Sequence, residues 1–168
     1  MEHEDQDKPA LAQQYDKLAR KFSELYLAGK ERSREAMALA LEKANEQMTA
    51  MGAFSAERGT ELKHYLARDL DQTLADAQHL GEGAKERLNP GRLGAGALSS
   101  LAAALDATGN ALHSLGEKTR GKITYSTGEV TSAGTLTCQA CGQTMQLRET
   151  GHIPPCPKCA GTVFNKSY

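Results

Sequence analysis

Leu11, Tyr15, Leu18, Phe22 and Leu25 recur at alternating spacings of four and three, with charged and amide residues between them. That rhythm is the seam of a coiled-coil-like helix. Residues 1–8 are charged and without period, which predicts a frayed tail, and Pro9 suits a first helical turn. Gly29 and the charged run from Lys30 to Glu35 interrupt the seam. Met37, Leu41, Ala44, Met48 and Met51 then resume the spacing in a shifted register. The pattern predicts one helix from residue 10 to residue 50 with a kink or stutter near Gly29. At 1.5 Å per residue it would be roughly 60 Å long.

Gly52-Ala-Phe54 breaks this pattern, and Ser55 reads as the N-cap of a further helix with Glu57 in its first turn. Leu62, Leu66, Leu70, Leu74 and Ala77 form its stripe, with Tyr65 beside it. The short connection predicts an antiparallel helical hairpin, each helix covering the face the other cannot bury alone. Glycines punctuate residues 81–96 and predict a hinge. Gly94-Ala-Gly96 has no strand before it, so it does not read as a dinucleotide fingerprint. Leu98, Leu101, Leu105, Leu112 and Leu115 predict a third helix over 95–116, closed by Gly116 and Gly121.

From Ile123 the period falls towards two. Ile123-Thr-Tyr125 and Glu129-Val-Thr131 predict short strands around a turn at Thr127-Gly128. Met145 and Leu147 alternate with Thr144, Gln146 and Arg148, and Gly151 marks a turn, so this stretch reads as a small hairpin. Leu136 and Val163-Phe164 supply two more short apolar segments. The division is a tail at 1–8, a helical region at 9–117 and a β region at 118–168, an α+β chain.

Four cysteines, the only ones in the chain, change the picture. Cys138-Gln-Ala-Cys141 and Cys156-Pro-Lys-Cys159 are two C-x2-C pairs separated by fourteen residues. Two intervening residues let each turn aim both sulfurs inward, and four thiolates suit one tetrahedral zinc ion with no open position. Gly142 follows the first pair, where such a turn needs positive φ; Ala160-Gly161 follows the second. A zinc ribbon of short antiparallel strands results, with knuckles at 138–141 and 156–159. So small a unit has too little apolar core to stand alone, and a structural zinc supplies on the order of 10–16 kcal/mol.

Two other uses of the cysteines fit less well. Disulfides imply an oxidising compartment, whereas the acidic start Met1-Glu-His-Glu-Asp lacks the basic-then-apolar form of a secretory signal. A redox C-x2-C opens a helix in a βαβ unit, whereas Pro155-Cys156-Pro157 lies among strands and turns. No apolar run approaches the ~20 residues that span a bilayer. A reducing, cytoplasmic setting is the expectation.

Composition sharpens the division of the chain. Aromatic residues are scarce, three Phe, five Tyr and no Trp, which argues against one large conventional core. Residues 1–117 carry 14 Lys+Arg against 19 Asp+Glu, and residues 118–168 carry 6 against 2, so −5 and +4 make the net −1. A zinc ion with four thiolates adds −2 locally, leaving about +2 on the ribbon. That surplus is too small to mark a nucleic-acid surface.

Three stretches together resemble a known group. They are Tyr125-Ser-Thr-Gly-Glu-Val-Thr131, Gly134-Thr-Leu-Thr-Cys138 and Gly151-His-Ile-Pro-Pro-Cys-Pro-Lys-Cys159. The chain resembles the YbeL-like bacterial proteins, a zinc-ribbon-containing family of unknown function, specifically over residues 122–165 and more loosely over the helices. The resemblance implies a helical N-terminal region, a C-terminal ribbon, and Cys138, Cys141, Cys156 and Cys159 as metal ligands. The glycines of 81–96 depart from the family's more helix-favouring stretch.

The expected function is a non-enzymatic binding or adaptor module with one structural zinc, no membrane association and no small-molecule substrate. Protein partners or self-association lead. Nucleic-acid contact through Lys118, Arg120, Lys122, Arg148, Lys158 and Lys166 is the alternative, though a fold analogy alone does not carry it. An enzyme is the third class. Glu149 and His152 are near enough in sequence for acid–base work, but His152 reads first as a loop residue held by a backbone contact. His64, His79 and His113 are isolated on helices.

Overall fold

A computed structural model of the chain describes residues 4–31, 33–79 and 123–167. The expected hinge at 81–96, the expected helix at 95–116, the glycines bracketing the connector, Ala77 and His79 as side chains, and Lys118, Arg120 and Lys122 lie outside what is described.

The first helix, α1 (Glu4–Ala28), begins inside the stretch expected to be loose. Pro9 then falls in the second turn, where it lacks the N–H that would reach the carbonyl of Asp5.

The predicted 10–50 rod does not form. The chain ends α1 at Gly29, whose N–H reaches the Leu25 carbonyl at 3.2 Å, and restarts at α2 (Arg34–Ala50). Ser33 is extended (φ −127, ψ 167), and its Oγ accepts the Ala36 N–H at 3.1 Å. A capped restart costs less than a stutter, because it satisfies orphan N–H groups and lets two apolar stripes face each other. The shifted register at Met37 is therefore a turn between helices.

The next connection is as expected and more explicit. Gly52 (φ +71) closes α2, with its N–H on Thr49 O and the Ala53 N–H on Met48 O, both 3.0 Å. This is the paired bonding of a Schellman end. Ser55 then caps α3 (Ala56–His79), its Oγ accepting the Arg58 N–H at 3.3 Å. Arg34 pairs with Asp71 and Glu42 with Lys63, each at 2.7 Å, so α2 and α3 run antiparallel.

The predicted stripes meet as the helical core: Leu11, Tyr15, Leu18 and Phe22 from α1, Met37, Leu41, Ala44 and Met48 from α2, and Leu62, Leu66, Leu70 and Leu74 from α3. Leu25 packs at its margin, Tyr26 joins it unforeseen, and Met51 is 73% exposed instead of buried. Gly59 lets α3 approach α2 closely. A Cβ there would lie 2.5 Å from Asn45 Oδ1 and 3.0 Å from both Phe54 Cε2 and Thr49 Oγ1. Between α2 and α3 runs an open cleft of about 590 Å³. Met37, Leu41, Leu70 and Leu74 form its floor, and the Arg34–Asp71 and Glu42–Lys63 pairs cross it.

The β region holds a four-stranded antiparallel sheet in the order β1 (Tyr125–Ser126), β6 (Val163–Ser167), β3 (Gly134–Cys138), β4 (Thr144–Leu147). A second, two-stranded sheet pairs β2 (Val130–Thr131) with β5 (Gly151–His152). As expected, β1 and β2 flank the turn at Thr127-Gly128, which the Glu129 N–H closes on Ser126 O at 3.2 Å, while the Thr127 N–H bonds to Thr162 O at 2.9 Å and the Gly128 N–H to Ile153 O at 2.8 Å. One local expectation is corrected: the stretch between the knuckles is no hairpin, because β4 pairs with β3 and Gly151 lies in a strand on β2. Non-local pairing wins here since it buries Tyr125, Leu136, Ile153 and Phe164 in one core with Cys138 and Cys156.

Nor is the β region an appendage. Val130 belongs to the helical core, and Thr150 Oγ1 donates to Asp16 on α1 at 2.8 Å. Among the described residues, no helix is long and apolar enough to cross a membrane.

Candidate metal centre

Each C-x2-C pair sits in a tight knuckle at the end of the sheet. In the first, the Gly142 N–H returns to Cys138 O at 2.9 Å and the Cys138 N–H to Gln143 O at 2.8 Å. In the second, Ala160 N–H returns to Cys156 O and Cys156 N–H to Gly161 O, both at 2.9 Å. The knuckles thus repeat one another bond for bond. Both require a left-handed residue after the second cysteine, and Gly142 (φ 71) and Ala160 (φ 56) supply it.

The repeat brings the four sulfurs together, all within 4.8 Å of one another. Across the knuckles, Cys138 and Cys159 Sγ are 3.7 Å apart and Cys141 and Cys156 Sγ 3.6 Å. A tetrahedron with Zn–S bonds near 2.3 Å has edges of about 3.8 Å. The donor set and its spacing therefore fit one structural zinc ion, and the fold brings the four predicted ligands together. All four thiols are free of disulfides.

The sulfurs are not equivalent as acids. Burial pushes the Cys156 thiol up, but the N–H groups of Lys158 and Cys159 and the thiols of Cys141 and Cys159 outweigh it and hold it at about 7. Cys159 receives the Gly161 N–H, which lowers it. Its neighbouring thiols and partial burial prevail and push it up to about 12. Cys156 thus gives up its proton readily, while Cys159 holds one until a cation replaces it.

Gly161 is a site residue that spacing alone understated. A Cβ there would fall 3.0 Å from Cys138 Sγ and 3.2 Å from Cys159 Sγ, so a bare position lets the sulfurs converge without shifting.

The second feature missed by sequence reasoning is a buried seam of charge joining ribbon to helices. Asp69 on α3 is wholly buried. Its Oδ2 accepts from Tyr15 OH at 2.7 Å, Thr131 Oγ1 at 2.8 Å, and Ser132 N and Oγ at 3.0 and 3.2 Å. Lys166 Nζ, also fully buried as a side chain, lies 3.6 Å from that oxygen. It donates to Thr131 Oγ1 and Ser132 Oγ at 2.7 Å and to Ser132 O at 2.9 Å. Beside it, the Arg68 guanidinium lies 4.0 Å over the Tyr125 ring and pairs with Glu129, which also accepts the Ser126 N–H. Helix and ribbon each contribute one acid and one base, so the buried charge balances.

Lys166, expected on a basic surface, is thereby corrected to an interior residue. A signal for it was present: Phe164 points inward on β6, and two residues later so does Lys166. Asp69 was equally marked, lying i+3 from Leu66 and i+7 from Leu62 on the apolar stripe.

The remaining candidates are dispersed. Arg148, Glu149, Lys158 and His64 are exposed. His152 is held by its backbone contact, Nδ1 donating to Gly128 O at 2.7 Å.

A family described as zinc-ribbon containing domain matches residues 24–167. No curated protein and no solved structure matches the chain.

Proposed function

The chain belongs to the zinc-ribbon containing domain family, and from that premise we propose that it is a non-enzymatic adaptor whose zinc gives shape and whose helices bind a protein. The observation that carries the reading is the closed set of four sulfurs. Four thiolates complete a zinc tetrahedron and leave no position for water or substrate, so the ion would act as a structural strut. Metal binding by thiolates needs a reducing compartment, which makes the cytoplasm part of the proposal.

The occupant we favour is an amphipathic helix of a partner protein, lying in the α2–α3 cleft. The two ion-paired bridges sit eight residues apart on α2, about 12 Å along its axis. Between them the exposed Ala38 and half-buried Ala67 lie beside a base of Met37, Leu41 and Leu70, each 6% exposed or less, a narrow apolar strip for the i, i+3/i+4, i+7 face of a docked helix. The bridging groups, Arg34 and Lys63 against Glu42 and Asp71, cancel in charge, so the cleft has no net pull on phosphate. The nucleic-acid alternative draws less support than its sequence pattern offered, because Lys166 is buried.

Ala38 and Thr60 line the cleft and are exposed, which makes them places for a photocrosslinking residue. Crosslinking in the native host should give one defined adduct from these positions and none from Lys158 on the knuckle. Ala38→Arg should abolish it. An adduct between copies of the chain would replace the foreign partner by self-association. Equal labelling from all three positions, or salt-sensitive binding of RNA or DNA that Ala38→Arg leaves intact, would overturn the reading.

A further inference from the structure

The metal centre and the charged seam meet on one strand. On β6, Phe164 pairs across to Cys138 of the first knuckle, and Lys166 pairs across to Leu136. The Lys166 side chain then leaves the sheet for Asp69 on α3. Gly134 clears its path, since a Cβ at that position would lie 2.6 Å from Lys166 Cε. Arg68 makes a parallel connection from α3 to β1 through Tyr125 and to the turn before β2 through Glu129.

We propose that the Asp69–Lys166 contact is a latch through which metal occupancy of the four cysteines sets the order of the helices. The ribbon's own core is small, so its strands depend on the ion. Losing the ion frees β6, and with it the cation that faces Asp69. A wholly buried carboxylate that loses Lys166 and the donors of Thr131 and Ser132 keeps only Tyr15 and the Arg68 Nε 3.6 Å from its other oxygen; it is destabilised, and α3 must loosen to hydrate it. Tyr15 donates to the same oxygen, so the disturbance reaches α1 as well. The turn of α3 that carries Arg68 and Asp69 towards the ribbon carries Leu70 and Asp71 towards the α2–α3 cleft. Metal occupancy is therefore felt at the cleft, whatever the cleft binds. Coupling of this kind is reciprocal: if the ion orders the helices, the helices must help retain the ion.

The test uses the full chain loaded with zinc under reducing conditions. Zinc transfer to a chromophoric chelator is timed, and amide exchange over α1 and α3 is read by mass spectrometry. In the unaltered chain, removing the metal should speed exchange across residues 62–74 about tenfold or more. Asp69→Asn keeps the shape and removes the charge, and it should release zinc about fivefold faster although no cysteine is touched. Gly59→Ala serves as the control, because it disturbs α3 about 15 Å along the helix from Asp69, away from the latch. At matched loss of thermal stability it should release zinc at the unaltered rate. Exchange in α3 that ignores the metal overturns the proposal, as does equal zinc release from the two variants. If Asp69→Asn does not fold, Lys166→Met breaks the same contact from the strand side and is read by the same two outcomes.

Discussion

Ala160 repeats in the second knuckle the left-handed backbone that Gly142 adopts in the first, at φ 56 against φ 71. The surrounding bonds are the same, but a side chain resists this conformation by roughly 1 kcal/mol and glycine does not.

Ala160→Gly is therefore expected to stabilise zinc-loaded protein, by less than about 1 kcal/mol because glycine also gains freedom in the unfolded chain. Gly142→Ala is expected to destabilise it by about 1 kcal/mol. Nothing lies within 4 Å of a Cβ at Gly142, so its cost is conformational and not a clash. Chemical denaturation of the zinc-loaded variants checks both signs. A gain from Gly142→Ala would show that the two knuckles are not equivalent.

Gly161 is constrained by space. Gly161→Ala puts a methyl group against Cys138 Sγ and Cys159 Sγ, on either side of the expected ion. One sulfur must move by a few tenths of an ångström, which distorts a tetrahedron that tolerates little. Outer and inner contacts of this kind typically alter metal affinity 10–100-fold. Competition with a chelator of known affinity should find a loss in that range, with one zinc per chain still bound at saturation.

Lys166 gives a pH signature. Burial pushes its ammonium down to about 8 from 10.5, despite the opposing pull of Asp69. Below pH 8 the group is charged in both folded and unfolded chains and contributes no slope. Between about 8 and 10.5 the unfolded chain holds a proton that the folded chain has released, so this group makes stability rise with pH. Above that window its contribution is flat. Other groups titrate there too, so the measurement is the difference between the unaltered chain and Lys166→Met. That difference in unfolding free energy should climb from pH 8 to pH 10.5, and a falling or level difference refutes the assignment.

What was legible in the chain was whatever local spacing encodes. The sulfur ligands follow from two C-x2-C intervals, and the stripes Leu11–Phe22, Met37–Met48 and Leu62–Leu74 follow from helical period. The register shift after Gly29 reads as a stutter, and Ser33 is the cap that makes it a restart. An apolar register shift looks the same whether a helix bends or reverses. Strand partners were the least legible. Tyr125 pairs with Phe164 and Val130 with His152, and contacts so distant in sequence are chosen by the shared core, not by the turn nearest to them. The seam of Asp69 and Lys166 was visible as two charged residues in inward phase, but only their meeting shows that they are partners.

Gly59 offers a last check on how the helices close. In a helix, alanine is favoured over glycine by about 1 kcal/mol, so Gly59→Ala would stabilise α3 if the position were open. It is closed on three sides by Asn45 Oδ1, Thr49 Oγ1 and the ring of Phe54, the nearest at 2.5 Å. Overpacking costs typically 1–3 kcal/mol, which exceeds the propensity gain, so net destabilisation is expected. Asn45 supplies the closest atom, and a double-mutant cycle isolates it. Asn45→Ala alone should change stability little or lower it slightly. In its background Gly59→Ala should cost about 1 kcal/mol less than in the unaltered chain, because the closest contact is gone, those to Phe54 and Thr49 remain at 3.0 Å, and the propensity gain is kept. Thermal unfolding of the four zinc-loaded proteins gives the coupling directly. Strict additivity would mean that the Asn45 side chain does not limit the space at Gly59.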